Sequence, residues 1–326
     1  MINLVKNSMF DVVKKDLDTL EDEMHSVVCS PVDLITEIST HLVEAGGKRL
    51  RPALYFLGVR SRKEVDKYAI DLAAAIELIH MATLVHDDVI DSAATRRGIA
   101  TANSKWGNQI AVLSGDYLFA KAFSLVAVNR YDKRVLTALT DVICAMSEGE
   151  IIQNRQTFIP STDEQEYFGR IAKKTADFIA ASCQLGAIIA QLDDDEIAAL
   201  YEYGYSMGMA FQITDDILDI TATSEQIGKP AGNDILQGIV TLPVIRALTV
   251  SEDKVELEKI VSTKHMDKDM LKRGLDIVHA TDAVEYSYAL VDQYLNRART
   301  ILPASLPTEI REAYIYVADF IAKRQF

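Results

Sequence analysis

Along most of the 326-residue chain, apolar residues recur at i, i+3, i+4 and i+7, the spacing of a helix face. Residues 71–91 are apolar and Ala-rich over about five turns, enough for a helix buried on all sides. The same period predicts helices over 109–128, 135–154, 167–191 and 194–219. It continues over 244–248, 267–279, 282–301 and 308–323. Two starts carry local signals. Ser30-Pro31-Val32-Asp33 offers a hydroxyl cap, Pro at the first helical position and an acid two residues on. Ser161-Thr162-Asp163-Glu164 has the capping-box pattern. Alternating β-branched and aromatic runs bounded by turns are scarce. Loops are expected over 92–108, around Pro160 and over 223–234, where Gly228-Lys229-Pro230-Ala231-Gly232 is flexible enough to act as a lid. With no linker, repeat or low-complexity stretch, the expectation is one all-α domain over 1–326, although length alone suggests about two.

Composition narrows the function. Half the residues are apolar and a quarter charged, as in an ordinary soluble protein. The formal net charge of −14 argues against nucleic acid, whose phosphates are neutralised by Lys and Arg. It leaves room for a phosphate substrate held through metal ions. Cys29, Cys144 and Cys183 show neither metal spacing nor a disulfide framework, and Cys144 and Cys183 read as buried thiols of a reducing, cytoplasmic compartment. Residues 1–23 lack the apolar stretch of a signal peptide, and no run of about 18 uninterrupted apolar residues predicts a membrane span.

Two acidic clusters carry the chemistry. His86-Asp87-Asp88-Val89-Ile90-Asp91 and Gln212-Ile213-Thr214-Asp215-Asp216-Ile217-Leu218-Asp219 each place DDxxD at the end of an apolar helical run. Asp87 and Asp91 share a helix face, as do Asp215 and Asp219. Like charges at this spacing repel, and the helix dipole disfavours anions near a C-terminus. Divalent cations relieve both penalties, and oxygen ligands without His or Cys suit magnesium. Two other readings stay open: a solvated acidic helix end, and metal-assisted phosphate hydrolysis.

The cations are clustered too. Gly46-Gly47-Lys48-Arg49-Leu50-Arg51-Pro52 packs three into four positions, and Arg can grip phosphate bidentately. Arg96-Arg97-Gly98, Lys173-Lys174-Thr175 and Lys229 follow. One diphosphate would be held through metals by the aspartates, and another directly by Lys48, Arg51 and Arg97. His80, two turns before Asp87, can reach a phosphate or be a satisfied core histidine.

These motifs, with Gly115-Asp116-Tyr117-Leu118 and Gly228-Lys229-Pro230, run in order from about residue 40 to 245 and resemble the trans-isoprenyl (polyprenyl) diphosphate synthase family. The resemblance implies an all-α isoprenoid-synthase fold, antiparallel helices around a deep central cavity, and a homodimer or a pairing with a smaller accessory subunit. It implies a magnesium-dependent prenyltransferase, with about three ions per site. Asp87, Asp91 and Asp215 would bind the metal, supported by Asp88, Asp216 and Asp219. Arg96, Lys174, Thr175, Gln212 and Lys229 would hold the allylic diphosphate, Lys174 also serving catalysis. Gly47, Lys48, Arg51, His80, Arg97 and Arg324 would hold isopentenyl diphosphate. Ile239 stands where many members have Lys, so one diphosphate contact is missing. The expected sequence is ionisation, condensation and elimination, with the proton lost to the departed pyrophosphate, in a pocket dry enough to protect a carbocation. The alternatives are a short-chain farnesyl or geranylgeranyl diphosphate synthase and a subunit active only in a hetero-oligomer.

In the family, bulk five residues before the first DDxxD limits product length. Here that residue is Ala82, which implies a product of about six to ten isoprene units, a rule that helix geometry alone, about 140° from Asp87, does not supply. Ala82→Phe should shorten the product by several units, read by chromatography. A wild-type product that stops at fifteen carbons would defeat the long-chain expectation.

Overall fold

In a computed structural model, residues 11–127, 131–221 and 231–323 are described. Lys229 and Arg324 lie outside them, as does most of the expected lid. The described chain is almost wholly helical and divides into two compact units. The first comprises Met1–Thr140, Ser182–Ala198 and Ser305–Ala313, and the second Asp141–Ala181, Ala199–Ala304 and Tyr314–Phe326.

The first unit is organised by its most apolar helix. Helices α1 (Asp11–Val27), α2 (Asp33–Glu44) and α3 (Leu50–Arg60) precede α4 (Lys67–Ile90). Asp66 caps α4 by accepting from the Ala69 N–H at 2.9 Å. Residues 69–79 of α4 are buried on every face, so the helix has almost no polar side. By length and composition α4 could cross a membrane, but 78% of its most apolar stretch is buried inside the protein, which makes it a core helix. It packs against α1, α3 and, after the short α5 (Ala102–Trp106), against α6 (Asn108–Val126).

A second close contact in this unit is backbone on backbone. A Cβ at Gly186 would lie 2.2 Å from the Tyr55 carbonyl oxygen, and one at Gly58 only 2.9 Å from Gly186. No side chain fits between these segments.

In the second unit, α8 (Glu164–Ile171) runs into a π turn, Ala172–Ala176, before α9 (Asp177–Ile189). The predicted uninterrupted helix over 167–191 is thus interrupted at Lys173, Lys174 and Thr175. The helices Leu242–Val250 and Ala283–Ile301 pack together, and the Tyr203 hydroxyl donates to the Tyr314 carbonyl at 2.7 Å in the core. The helix α10 (Asp194–Thr221) ends in the second acidic cluster, and α7 (Lys133–Gln156) contributes Glu148 and Glu150.

Several local expectations are corrected. Ser30 does not cap α2, which begins at Asp33 behind Val32, because the Ser30 hydroxyl accepts the Val32 N–H in a turn instead. Asp163, not Ser161, caps α8, taking the N–H groups of Gln165 and Glu166 at 2.8 and 3.2 Å. Cys144 is exposed and only Cys183 is buried. The loop expected at 92–108 contains α5 and a two-stranded hairpin, Thr95–Arg96 paired with Ile99–Ala100.

Gly186→Ala should destabilise the protein by about 2–3 kcal/mol through overpacking of backbone against backbone, measured as a lowered urea midpoint. An unchanged midpoint would mean that the two segments can separate at no cost.

Candidate active site

The hairpin carries Arg97 in its turn. Its two turn residues, Arg97 and Gly98, both have positive φ, 55° and 80°, the twist that suits a two-residue hairpin loop. Arg tolerates that conformation poorly. Its guanidinium is tied down, donating from Nη1 to the Gly46 carbonyl. It covers Gly47, where a Cβ would meet Nη1 at 2.8 Å. Arg96, in the first strand, donates from Nε to Asp88 at 2.8 Å, which fixes the hairpin on the end of α4.

Arg49 and Arg51 of the Lys48–Arg51 segment turn to different partners. Arg49 turns inward and is buried between Glu21 and Glu77. Arg51 sits in the first turn of α3 with Nη1 3.3 Å from His80 Nε2 on α4. Burial, partly offset by Glu77 and reinforced by Arg97, lowers the Arg51 guanidinium to about 10, so it stays charged at neutral pH. Burial and then the charges of Arg51, Arg97, Arg96 and Arg49 hold the His80 imidazole well below its usual range. His80 is therefore neutral, and with Arg51 donating to Nε2 its own proton rests on Nδ1. His80, Arg96 and Arg97 line a pocket open to solvent, together with Gly46, Arg49, Glu77 and the apolar Leu42, Met81, Leu84 and Val85.

The two acidic clusters are built alike, each within its own unit. In the first, Asp88 is buried and bound to Arg96, whereas Asp87 is partly exposed and Asp91 exposed at the C-cap of α4. In the second, Asp216 is buried, accepting from the Tyr167 hydroxyl at 2.7 Å and from Gln212 Nε2 at 2.8 Å. Burial pushes the Asp216 carboxyl up to about 6, against the opposing pull of Tyr167, Gln212 and Arg170. Asp215 and Asp219 are partly exposed. The Asp219 carboxylate accepts the Asp234 N–H at 3.0 Å. In both clusters the middle aspartate is a buried anchor and its neighbours face outward.

Among the described residues, no three His, Cys, Asp or Glu side chains form a ready-made metal cage. The donor set is oxygen only, as magnesium requires.

Around the second cluster, the Thr175 hydroxyl donates to Gln212 Oε1 at 2.8 Å, so Thr175, Gln212, Asp216 and Tyr167 form one chain of hydrogen bonds. Lys174, on the π turn, is ion-paired with Glu150, and Lys173 with Glu148 at 2.5 Å. Buried Arg170 donates to the Val240 carbonyl at 2.7 Å. Ile239, in place of Lys, donates its N–H to the Asp234 carbonyl at 2.8 Å. Ala82 is fully buried on α4, between Met81 and Thr83. Gly115 underlies the His86 ring, where a Cβ would come within 2.2 Å of Nε2, which accounts for the glycine of the Gly115-Asp116-Tyr117-Leu118 motif.

Glu21, Glu77, Glu150 and Tyr167 were not singled out from sequence. Glu77 had a signal, a lone acid inside an apolar helix, which implies a buried partner. Tyr167 had none, since its role appears only when α8 meets α10.

These features define an all-α protein with the isoprenoid-synthase fold, shared with two crystal structures. One is a heptaprenyl diphosphate synthase from Staphylococcus aureus, with TM-score 0.89, 31% identity and coverage of 96% of this chain and 99% of that one. The other is a polyprenyl synthase from Caulobacter crescentus CB15 complexed with calcium and isoprenyl diphosphate, with TM-score 0.90, 32% identity and coverage of 98% and 97%. Residues 32–278 match the family described as Polyprenyl synthetase, and the chain belongs to that family of prenyltransferases. A relative named heptaprenyl diphosphate synthase component 2, from Geobacillus stearothermophilus, is 41% identical over 98% of this chain and 99% of its own length.

Tyr167→Phe removes a hydroxyl donor from buried Asp216 and should cost about 1–3 kcal/mol in urea unfolding. No loss would mean that the Asp216 carboxyl is satisfied without it.

Proposed function

We propose that the chain condenses an allylic diphosphate with isopentenyl diphosphate, head to tail, into an all-trans polyprenyl diphosphate of about six to ten isoprene units. The observation that carries this reading is the repeated acidic design: a buried aspartate pinned by protein donors, flanked by aspartates that face outward at a helix C-terminus. Such a site is unfavourable until a cation joins it.

Asp87, Asp91 and Asp215 would hold magnesium, with Asp88, Asp216 and Asp219 in support. When bound, the metal would supply charge neutralisation to a leaving diphosphate that carries about three negative charges. Lys174, Thr175, Gln212, Arg96 and Lys229 bind and orient the allylic diphosphate in this reading. Lys48, Arg51, His80 and Arg97 orient isopentenyl diphosphate over Gly47, and Arg324 is a further contact. Arg51 and Arg97 bring charge and His80 a neutral N–H donor at Nδ1. The apolar walls of α4, Met81, Leu84 and Val85 among them, keep water from the reacting carbons. No side chain is assigned as a base, because the departing pyrophosphate takes the proton.

A second reading is favoured by the name of the Geobacillus relative, one component of a heptaprenyl diphosphate synthase. In that reading the chain is the catalytic half of a two-subunit enzyme; otherwise it is a homodimer. In either case it is cytoplasmic and meets membranes through its product.

Asp87→Ala or Asp215→Ala should lower kcat with magnesium at least about 100-fold, a loss of about 3 kcal/mol of transition-state stabilisation. The thermal midpoint is recorded beside kcat, so that a loss of fold is told apart from a loss of metal binding. Turnover near that of the wild type would defeat the assignment.

A further inference from the structure

The turn that carries the basic segment is held by a buried ion network that no substrate contact requires. Arg49 is the N-cap of α3 and stands in the left-handed conformation, with φ of 46°, just after Gly46 at 64°. Its guanidinium makes four contacts within one unit. Nε and Nη2 reach Glu21 on α1 at 2.6 and 3.0 Å. Nη1 reaches Glu77 on α4 at 2.7 Å, and Nη2 the Val43 carbonyl at 3.3 Å. The Arg49 and Glu77 side chains are each 5% exposed. A planar fork with several donors can bridge two carboxylates and a carbonyl at once, which an ammonium cannot.

Glu77 lies one helical turn before His80, so the Arg49–Glu77 pair registers the first turn of α3 against the turn of α4 that carries His80. It also faces the substrate cations. Glu77 is the carboxylate that favours the charged forms of both Arg51 and Arg97. Buried and deprived of Arg49, it would need another cation. Arg51 and Arg97 are the cations whose charge it already favours.

We infer that Arg49 is a positioning residue for the isopentenyl diphosphate site: by occupying Glu77 and Glu21, it keeps Glu77 from drawing Arg51 and Arg97 inward, away from the diphosphate. This rests on the reading of the pocket given above. Glu77 thus has two roles, fixing the turn through Arg49 and, when Arg49 is lost, competing with substrate for its cations.

The inference makes an unusual demand: a second substitution should repair the first. The full chain is titrated calorimetrically with isopentenyl diphosphate, and separately with an allylic diphosphate in magnesium. Arg49→Met should weaken isopentenyl diphosphate binding by about 30-fold and change allylic binding less than about twofold. Adding Glu77→Gln should recover most of the loss, to within about fivefold of wild type, because the competing carboxylate is gone. If Arg49→Met does not fold, Arg49→Lys with and without Glu77→Gln is read the same way, the Lys variant being about tenfold weaker and relieved by the second change. A double variant no better than the single one, equal losses for both substrates, or a single variant within threefold of wild type would overturn the positioning role alone. A wild-type chain that binds the allylic diphosphate but not isopentenyl diphosphate would overturn the reading of the pocket and the inference with it.

Discussion

A carboxylate at the C-terminal end of a helix meets the negative end of the dipole, and a second one four residues away adds repulsion. This protein accepts that arrangement twice, at Asp87 and Asp91 and at Asp215 and Asp219. In each case it buries the aspartate between them and gives it a partner, Arg96 for Asp88 and Tyr167 with Gln212 for Asp216. The buried member costs desolvation, visible in the raised Asp216 carboxyl, and its hydrogen bonds offset part of that cost. The anchored member holds the helix end, and in the proposed reading the flanking carboxylates meet an ion that brings its own charge.

The basic side solves the opposite problem. A chain of net charge −14 gathers several of its cations around one pocket. It does so by giving one arginine of the cluster two acids, buried Glu77 and partly exposed Glu21, and letting the others surround a neutral histidine. Backbone geometry supports this: Arg97 sits in a left-handed turn, Gly47 has no Cβ to block it, and Arg49 caps α3 in another left-handed position.

Much of this was legible in the sequence. The long helices follow from period alone, and α4, α6, α7 and α10 begin and end within a few residues of expectation. The acidic and basic motifs are contiguous in sequence, so their residue types were visible at once. What was not legible is what depends on a partner from another element. Asp88 and Asp216 look like their neighbours in the string, and only Arg96 and Tyr167 distinguish them. Arg49 looks like Arg51, and only Glu21 and Glu77 turn it inward. The helix starts at Ser30 and Ser161 were misread because a hydroxyl can serve a turn two residues on as readily as a helix. Cys144 was misread because an apolar run need not face the core. The π turn at Ala172–Ala176 has no sequence period to announce it, yet it carries Lys173, Lys174 and Thr175.

The claim on which the account turns is that the aspartates hold a diphosphate only through divalent ions. Titrating the full chain with a non-ionisable thio analogue of an allylic diphosphate, in excess magnesium and again in excess chelator, measures this directly. The account predicts that affinity falls at least about 100-fold when the metal is withdrawn. Equal affinity in the two conditions would contradict it, because the carboxylates would then be spectators and the cations alone would carry the ligand.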